Sequence, residues 1–137
     1  MISVHDNSVY GYSVDCANQR LILHTVFEDA PPSEFTDVVF NGVIAHTLEY
    51  VNRGNILFDI AEVDPCSIVD SAASLFQDSW RHGWPELDYK GDLDCLKQLL
   101  QQLSILGFEI ASSCGLSGWV LAQTCDRLPR EAMQKMS

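Results

Sequence analysis

The stretch Phe35–Val63, FTDVVFNGVIAHTLEYVNRGNILFDIAEV, limits the fold more than any other part of the chain. It holds two apolar, β-branched runs, Val38–Leu48 and Ile56–Val63, joined by the polar loop Tyr50–Asn55. Val, Ile, Phe and Thr in runs, broken by Asn and Gly, suit a pleated and half-buried surface. The pattern predicts the centre of an antiparallel sheet. In the first run Val38, Phe40, Ile44 and Leu48 share one face with Gly42 and His46, while Val39, Val43 and Ala45 share the other. Asn41-Gly42 in its middle is either a hairpin turn or a β-bulge in one long bent strand. The bulge is favoured, because the alternation resumes in phase.

Upstream, Val9–Cys16 and Gln19–Glu28 read as two strands around a tight turn at Ala17-Asn18. Leu21-Ile22-Leu23 is apolar on both faces, which places the second strand inside the sheet rather than at its edge. Pro31-Pro32 cannot continue a ladder and marks a turn. Downstream the period changes. Asp64-Pro65 is a helix start, and Ile68, Ala72, Leu75, Phe76 and Trp80 recur at helical spacing, predicting one helix over Pro65–Arg81. Asp92 caps a second helix striped by Leu93, Leu96, Leu100 and Leu103, with Gly107 as its C-cap. Phe108–Ser113 and Gly118–Cys125 form a final hairpin, and the tail Asp126–Ser137 is polar, with room for one helical turn. The order is strand–strand–strand–strand–helix–helix–strand–strand. That order predicts a single α+β domain, with a mostly antiparallel sheet of five to seven strands and two helices packed on one face.

Charge narrows the partners. Nineteen acidic residues against eight basic ones leave a formal net charge of −11. Nucleic acids and anionic membranes need a cationic footprint, so neither is an expected partner. A protein with a basic surface is favoured instead, with long-range attraction speeding the encounter. The N-terminus lacks the basic and apolar regions of a secretory signal. The five cysteines, Cys16, Cys66, Cys95, Cys114 and Cys125, are odd in number and contain no CxxC pair. Reduced thiols in a cytoplasmic protein are therefore expected rather than a disulfide framework or a zinc site.

Three groups of residues carry candidate chemistry. His24 and His46 fall on predicted strands near Asp59 and Glu62; a convergent His/carboxylate cluster would support metal binding or acid–base work. Register is not legible, and one residue of slip moves every side chain to the other face. Asp59 interrupts an apolar run and needs a partner, with Arg20, Arg53 or a backbone N–H as candidates. Cys114-Gly115-Leu116-Ser117-Gly118 lacks the strand-to-helix context and the central nucleophile of a nucleophile elbow. No phosphate loop, dinucleotide fingerprint or zinc-protease motif is present, and no cofactor is implied. Around the inter-helix loop, Trp84, Glu86, Asp88, Tyr89 and Asp92 combine aromatic residues with an acidic rim, the composition of a partner-binding surface. The competing reading is that Trp80 and Trp84 seal the helices onto the sheet while the acids are solvated.

Val9–Asp15, Arg20–Leu23, Phe35–His46, Gly54–Val63 and Ser112–Ala122 taken together resemble a group of small bacterial proteins of the YxiG-like kind, over about Val4–Gln123. The resemblance implies the same α+β fold. Because some members are associated with polymorphic-toxin loci, it also implies an immunity-type protein that neutralises a toxin. It supplies no catalytic residues, and Cys114 stands where the group is expected to carry an aromatic. The leading reading is thus a non-enzymatic protein that occludes a basic site on a toxin. The alternatives are a small enzyme with a His/carboxylate site, and a structural homodimer formed through an exposed sheet edge.

Overall fold

The computed structural model describes residues 2–29 and 31–130. Its strands are β1 (Ser8–Asp15), β2 (Arg20–Phe27), β3 (Glu34–Asn41), β4 (Ala45–Glu49), β5 (Ile56–Val63), β6 (Leu106–Cys114), β7 (Ser117–Ala122) and β8 (Thr124–Arg130). Between β5 and β6 come α1 (Pro65–Ser71), α2 (Ala73–Ser79), a single 3₁₀ turn at Trp80–His82, and α3 (Leu93–Gln102). The architecture is α+β. One antiparallel sheet of eight strands runs in the order β4-β7-β6-β5-β1-β2-β3-β8. It is larger than the expected five to seven strands, because two runs that read as single strands are each divided by a bend.

Those bends face each other. Asn41 pairs with Thr124 and Ala45 with Leu121, so four steps along one path oppose three along the other. Gly42 takes the extra residue at φ 66°, a left-handed conformation that glycine adopts at no steric cost. Hydrogen bonds from Gln123 N–H to the Asn41 carbonyl and from Ile44 N–H to the Leu121 carbonyl, both 2.9 Å, carry the ladder across. The two ends of the strand order therefore belong to one bent pair, β3–β4 against β7–β8, and the sheet curls back on itself. The curl meets narrowly on its far side. β1 and β5 pair only at Ser8 and Ile56, flanked by Val9 N–H to Asn55 C=O (2.8 Å) and Leu57 N–H to Asn7 C=O (2.9 Å). Phe35–Val63 is consequently not the sheet centre. β4 ends the order, β3 lies next to last between β2 and β8, and only β5 is near the middle.

Inside the curl lie Val9, Leu21, Leu23, Val38, Phe40, Leu57, Ile110 and Val120, joined by Val4 from the N-terminal segment. A second apolar layer forms where the helices cover the outer face of β4 and β7. Ala45, Trp119 and Leu121 meet Ile68, Val69, Phe76, Leu96 and Leu100 there. Trp119-Val120-Leu121-Ala122 is continuously apolar because β7 is buried on both faces. Three helices replace the expected two. The run over Pro65–Arg81 breaks at Ala72 (φ −111°, ψ 29°), where the Ser71 hydroxyl donates to the Ile68 carbonyl at 3.1 Å and competes with the helical ladder. Gly107 is not a helix cap. α3 ends five residues earlier, with Ser104 left-handed at φ 57°. Gly107 sits in β6, where an added Cβ would lie 2.9 Å from Ile68 Cδ1 and from the Val63 carbonyl, so glycine is what lets α1 approach the sheet. Of the tail, Asp126–Arg130 extends β8; a helical turn beyond it lies outside the described residues. Among the described residues no helix is long and apolar enough to cross a membrane.

Candidate functional site: a polar network on the bare face of the sheet

The helices cover one outer face only. Among the described residues the outer face of β1, β2, β3 and β8 carries no second layer, and its rows follow from register. His24 of β2 lies between Gly11 and Asp37; Asp37 in turn opposes Leu128. The next rows are Ser13–Ile22–Val39–Asp126 and Val26–Phe35–Arg130. Alternation explains the polarity: Leu21, Leu23, Val38 and Phe40 point inward, so their neighbours point out.

Across these rows runs a connected hydrogen-bond network. Ser13 Oγ lies 2.9 Å from His24 Nε2, and His24 Nδ1 lies 2.9 Å from Asp37 Oδ1. Arg130 Nη1 reaches Asp37 Oδ2 at 3.5 Å, and Arg130 Nη2 donates to Tyr10 Oη at 2.7 Å. Tyr10 stacks over the His24 ring at 6.1 Å between centroids and meets Phe35 edge-on at 6.1 Å. Register makes the diagonal reach from His24 to Ser13 available: Gly11 is directly opposite His24, Ser13 is two residues further along β1, and the bulge between Val9 and Gly11 turns Tyr10 outward. Chemically, a hydroxyl on one imidazole nitrogen and a carboxylate on the other let the imidazole accept the hydroxyl proton while the carboxylate holds its tautomer. The remaining rows, Ile22, Val39 and Leu128, are half-covered or exposed apolar surface.

The expected partner loop is assembled differently from a continuous surface. Tyr89 is 1% exposed and its hydroxyl donates to the Phe76 carbonyl at 2.6 Å, with the Trp84 carbonyl at 3.3 Å. It anchors the loop from within and offers a partner nothing. Burial also pushes its phenol above the usual tyrosine range. Trp84 is half-buried, stacked on Phe76 at 5.4 Å and 11° and lying 6.2 Å from Trp119. Asp92 is exposed, but its carboxylate caps α3 by accepting from the N–H groups of Asp94 (3.0 Å) and Cys95 (3.2 Å). Glu86 and Asp88 are exposed. Tyr89→Phe is expected to lower stability by about 1 kcal/mol, the typical worth of one buried hydrogen bond. Urea unfolding measures this, and a change below ~0.3 kcal/mol would show that the Phe76 carbonyl does not depend on it.

His24, His46 and Asp59 do not share a site. His46 stands on β4 opposite Val120 and lines a cleft of about 440 Å³ together with Arg20, Trp84, Glu86 and Gln123. Burial holds its imidazole below the ordinary histidine range. Asp59 is not buried; its partner is Arg127, at 3.7 Å, rather than Arg20, Arg53 or a backbone N–H. Arg127 is itself turned into the fold, donating to the carbonyls of Ile60 (2.8 Å) and Ile2 (3.0 Å). The carboxylate that meets His24 is Asp37, not Asp59 or Glu62. It was missed because it lies on the next strand of the same meander, and only the register across Pro31-Pro32 brings it opposite His24. All five cysteines are free thiols; burial pushes Cys66 up and Cys125 up to about 11, so neither is a ready thiolate. Among the described residues no three His, Cys, Asp or Glu side chains are grouped to hold a metal ion. No family model, no curated protein and no solved structure matches the chain.

Proposed function

We propose that the chain is a protein-binding domain of the immunity type, which neutralises a cognate toxin by covering a basic site. The observation that carries this reading is a surplus of uncompensated carboxylates at the surface. Glu28, Glu34, Glu49, Asp78, Glu86 and Asp88 are exposed, and among the described residues none of them forms an ion pair. Several of the few cations are already committed: Lys97 to Asp70 at 2.6 Å, Arg130 to Asp37, and Arg127 to the carbonyls described above. Exposed like charges destabilise the monomer slightly and favour a complementary surface. Glu86 and Asp88 beside half-buried Trp84 supply an acidic rim next to an aromatic anchor, the arrangement that interfaces use. The resemblance to YxiG-like proteins points the same way.

The experiment is co-expression with the product of the neighbouring gene. The expected result is rescue from that product's toxicity and a complex on size-exclusion chromatography that weakens with salt. Replacing both Glu86 and Asp88 by lysine should slow association about tenfold at low ionic strength. Neither rescue nor a complex would refute the reading.

A further inference from the structure

The network on the bare face has the atom-by-atom connectivity of a nucleophilic triad, and the binding role above makes no use of it. We propose that Ser13 is a nucleophile activated by His24, with Asp37 as the positioning residue, and that this face cleaves small carboxylic esters. Four observations converge on it. The hydroxyl meets Nε2 and the carboxylate meets Nδ1, so one tautomer serves both bonds: Nδ1–H donates to Asp37 Oδ1 and Nε2 accepts from Ser13 Oγ–H. Asp37 is itself held by Arg130, and the ring is held by Tyr10, so His24 is oriented from two sides.

The third observation concerns the strand edge. Gln19 N–H donates to the Cys16 carbonyl at 3.2 Å and closes the β1–β2 hairpin. Alternation from that pair gives the hydrogen-bonded positions to Val14–Leu21 and Tyr12–Leu23, and turns the Ser13 N–H to the opposite edge. β5 pairs with β1 only at Ser8, so among the described residues no strand takes that N–H. It lies beside the nucleophile of its own residue, where an oxyanion would form. The fourth is a shallow depression of about 390 Å³ at the end of the same face, walled by Tyr10, Val26 and Phe35 with Glu28 and Ser33 at its rim. Tyr10, which stacks on His24, is the wall it shares with the network, and Val26 and Phe35 make its other walls apolar.

The step balances without any further reagent than ester and water. Ser13 Oγ attacks the acyl carbon while its proton passes to His24 Nε2. The bond to the alkoxide breaks, the alkoxide leaves with that proton, and acyl-Ser13 remains. Water, losing a proton to His24, then attacks the acyl carbon; carboxylate is released and Ser13 regains its hydrogen.

The test treats the full chain with an alkyl fluorophosphonate and maps the adduct by peptide mass spectrometry, with p-nitrophenyl butyrate hydrolysis as the second readout. The expected adduct is on Ser13, absent in Ser13→Ala and formed about 100-fold more slowly in His24→Ala. Asp37→Asn should also slow it, and Asp37→Glu should recover most of the rate. A network that only pins strand register would shift the melting temperature in these variants and leave the unmodified chain unlabelled. No adduct on Ser13, adducts spread over several serines, or a rate indifferent to His24 and Asp37 in folded variants would each overturn the proposal. Because the readout is on the isolated chain, it stands or falls separately from toxin binding.

Discussion

Asn55→Ala is expected to lower the stability of the chain by about 3 kcal/mol, the sum of one buried donor left unpaired and the loss of three further bonds, one of them long. Asn55 is 4% exposed and serves three separate segments. Its Oδ1 accepts from the N–H groups of Asn52 (2.9 Å) and Leu116 (2.9 Å), and its Nδ2 donates to the carbonyls of Asn52 (2.8 Å) and Val9 (3.4 Å). The side chain thus ties the β4–β5 loop to β1 and to the β6–β7 turn, at the narrow place where the curled sheet meets itself. Alanine leaves the buried Leu116 N–H without an acceptor and removes the tie next to the sole β1–β5 pair. Thermal unfolding should show a fall of roughly 10 °C. A fall under ~2 °C would mean that the β1–β5 contact is held by the backbone alone.

Phe40→Ala should cost more, about 3–5 kcal/mol. Phe40 is fully buried inside the curl and meets Phe108 edge-on at 5.5 Å between centroids, bridging β3 to β6 across the interior. Truncation removes the apolar transfer energy and opens a cavity that strands hydrogen-bonded on both sides cannot collapse to fill. Val14→Ala is the control: Val14 is 45% exposed, so its loss should change stability by less than ~0.5 kcal/mol. Guanidinium unfolding of the pair separates the two. Equal costs would mean that the inside of the curl is not a packed core.

Helices and strands were legible to different depths. The Asp92 cap predicts the start of α3 to the residue, since capping is a local property, whereas the leucine stripe through Leu103 and the expected Gly107 cap overran its end at Gln102. Helical spacing likewise merged α1 with α2, because the break at Ala72 depends on a serine hydroxyl that periodicity does not see. β1, β2 and β5 fall within a residue or so of their predicted bounds. The site was half legible. A turn centred on Ala17-Asn18 already places Gly11 opposite His24 and Ser13 one step diagonal to it, so the first half of the network follows from one hairpin. The second half does not, because the Phe27–Glu34 connection contains Pro31-Pro32 and can centre in more than one place. Charge was read correctly as a total but not as a distribution; where Glu86 and Asp88 are free, Asp92 is spent on a helix cap and Asp37 on His24 and Arg130.

Taken alone, the sequence determined the α+β class, the apolar faces and the acidic balance, all of which are sums or periods along the chain. Only the tertiary structure decided that Phe35–Val63 is scattered over one end, the middle and the next-to-last place of the strand order. It also decided that Tyr89 is interior, and that Ser13, His24 and Asp37 meet. The physical reason is the same in each case. Alternation says which side of a strand a residue occupies, but which strand lies beside it is set by long-range pairing. Here that pairing is governed by one bulge at Gly42 and one buried asparagine, neither of which announces its partner.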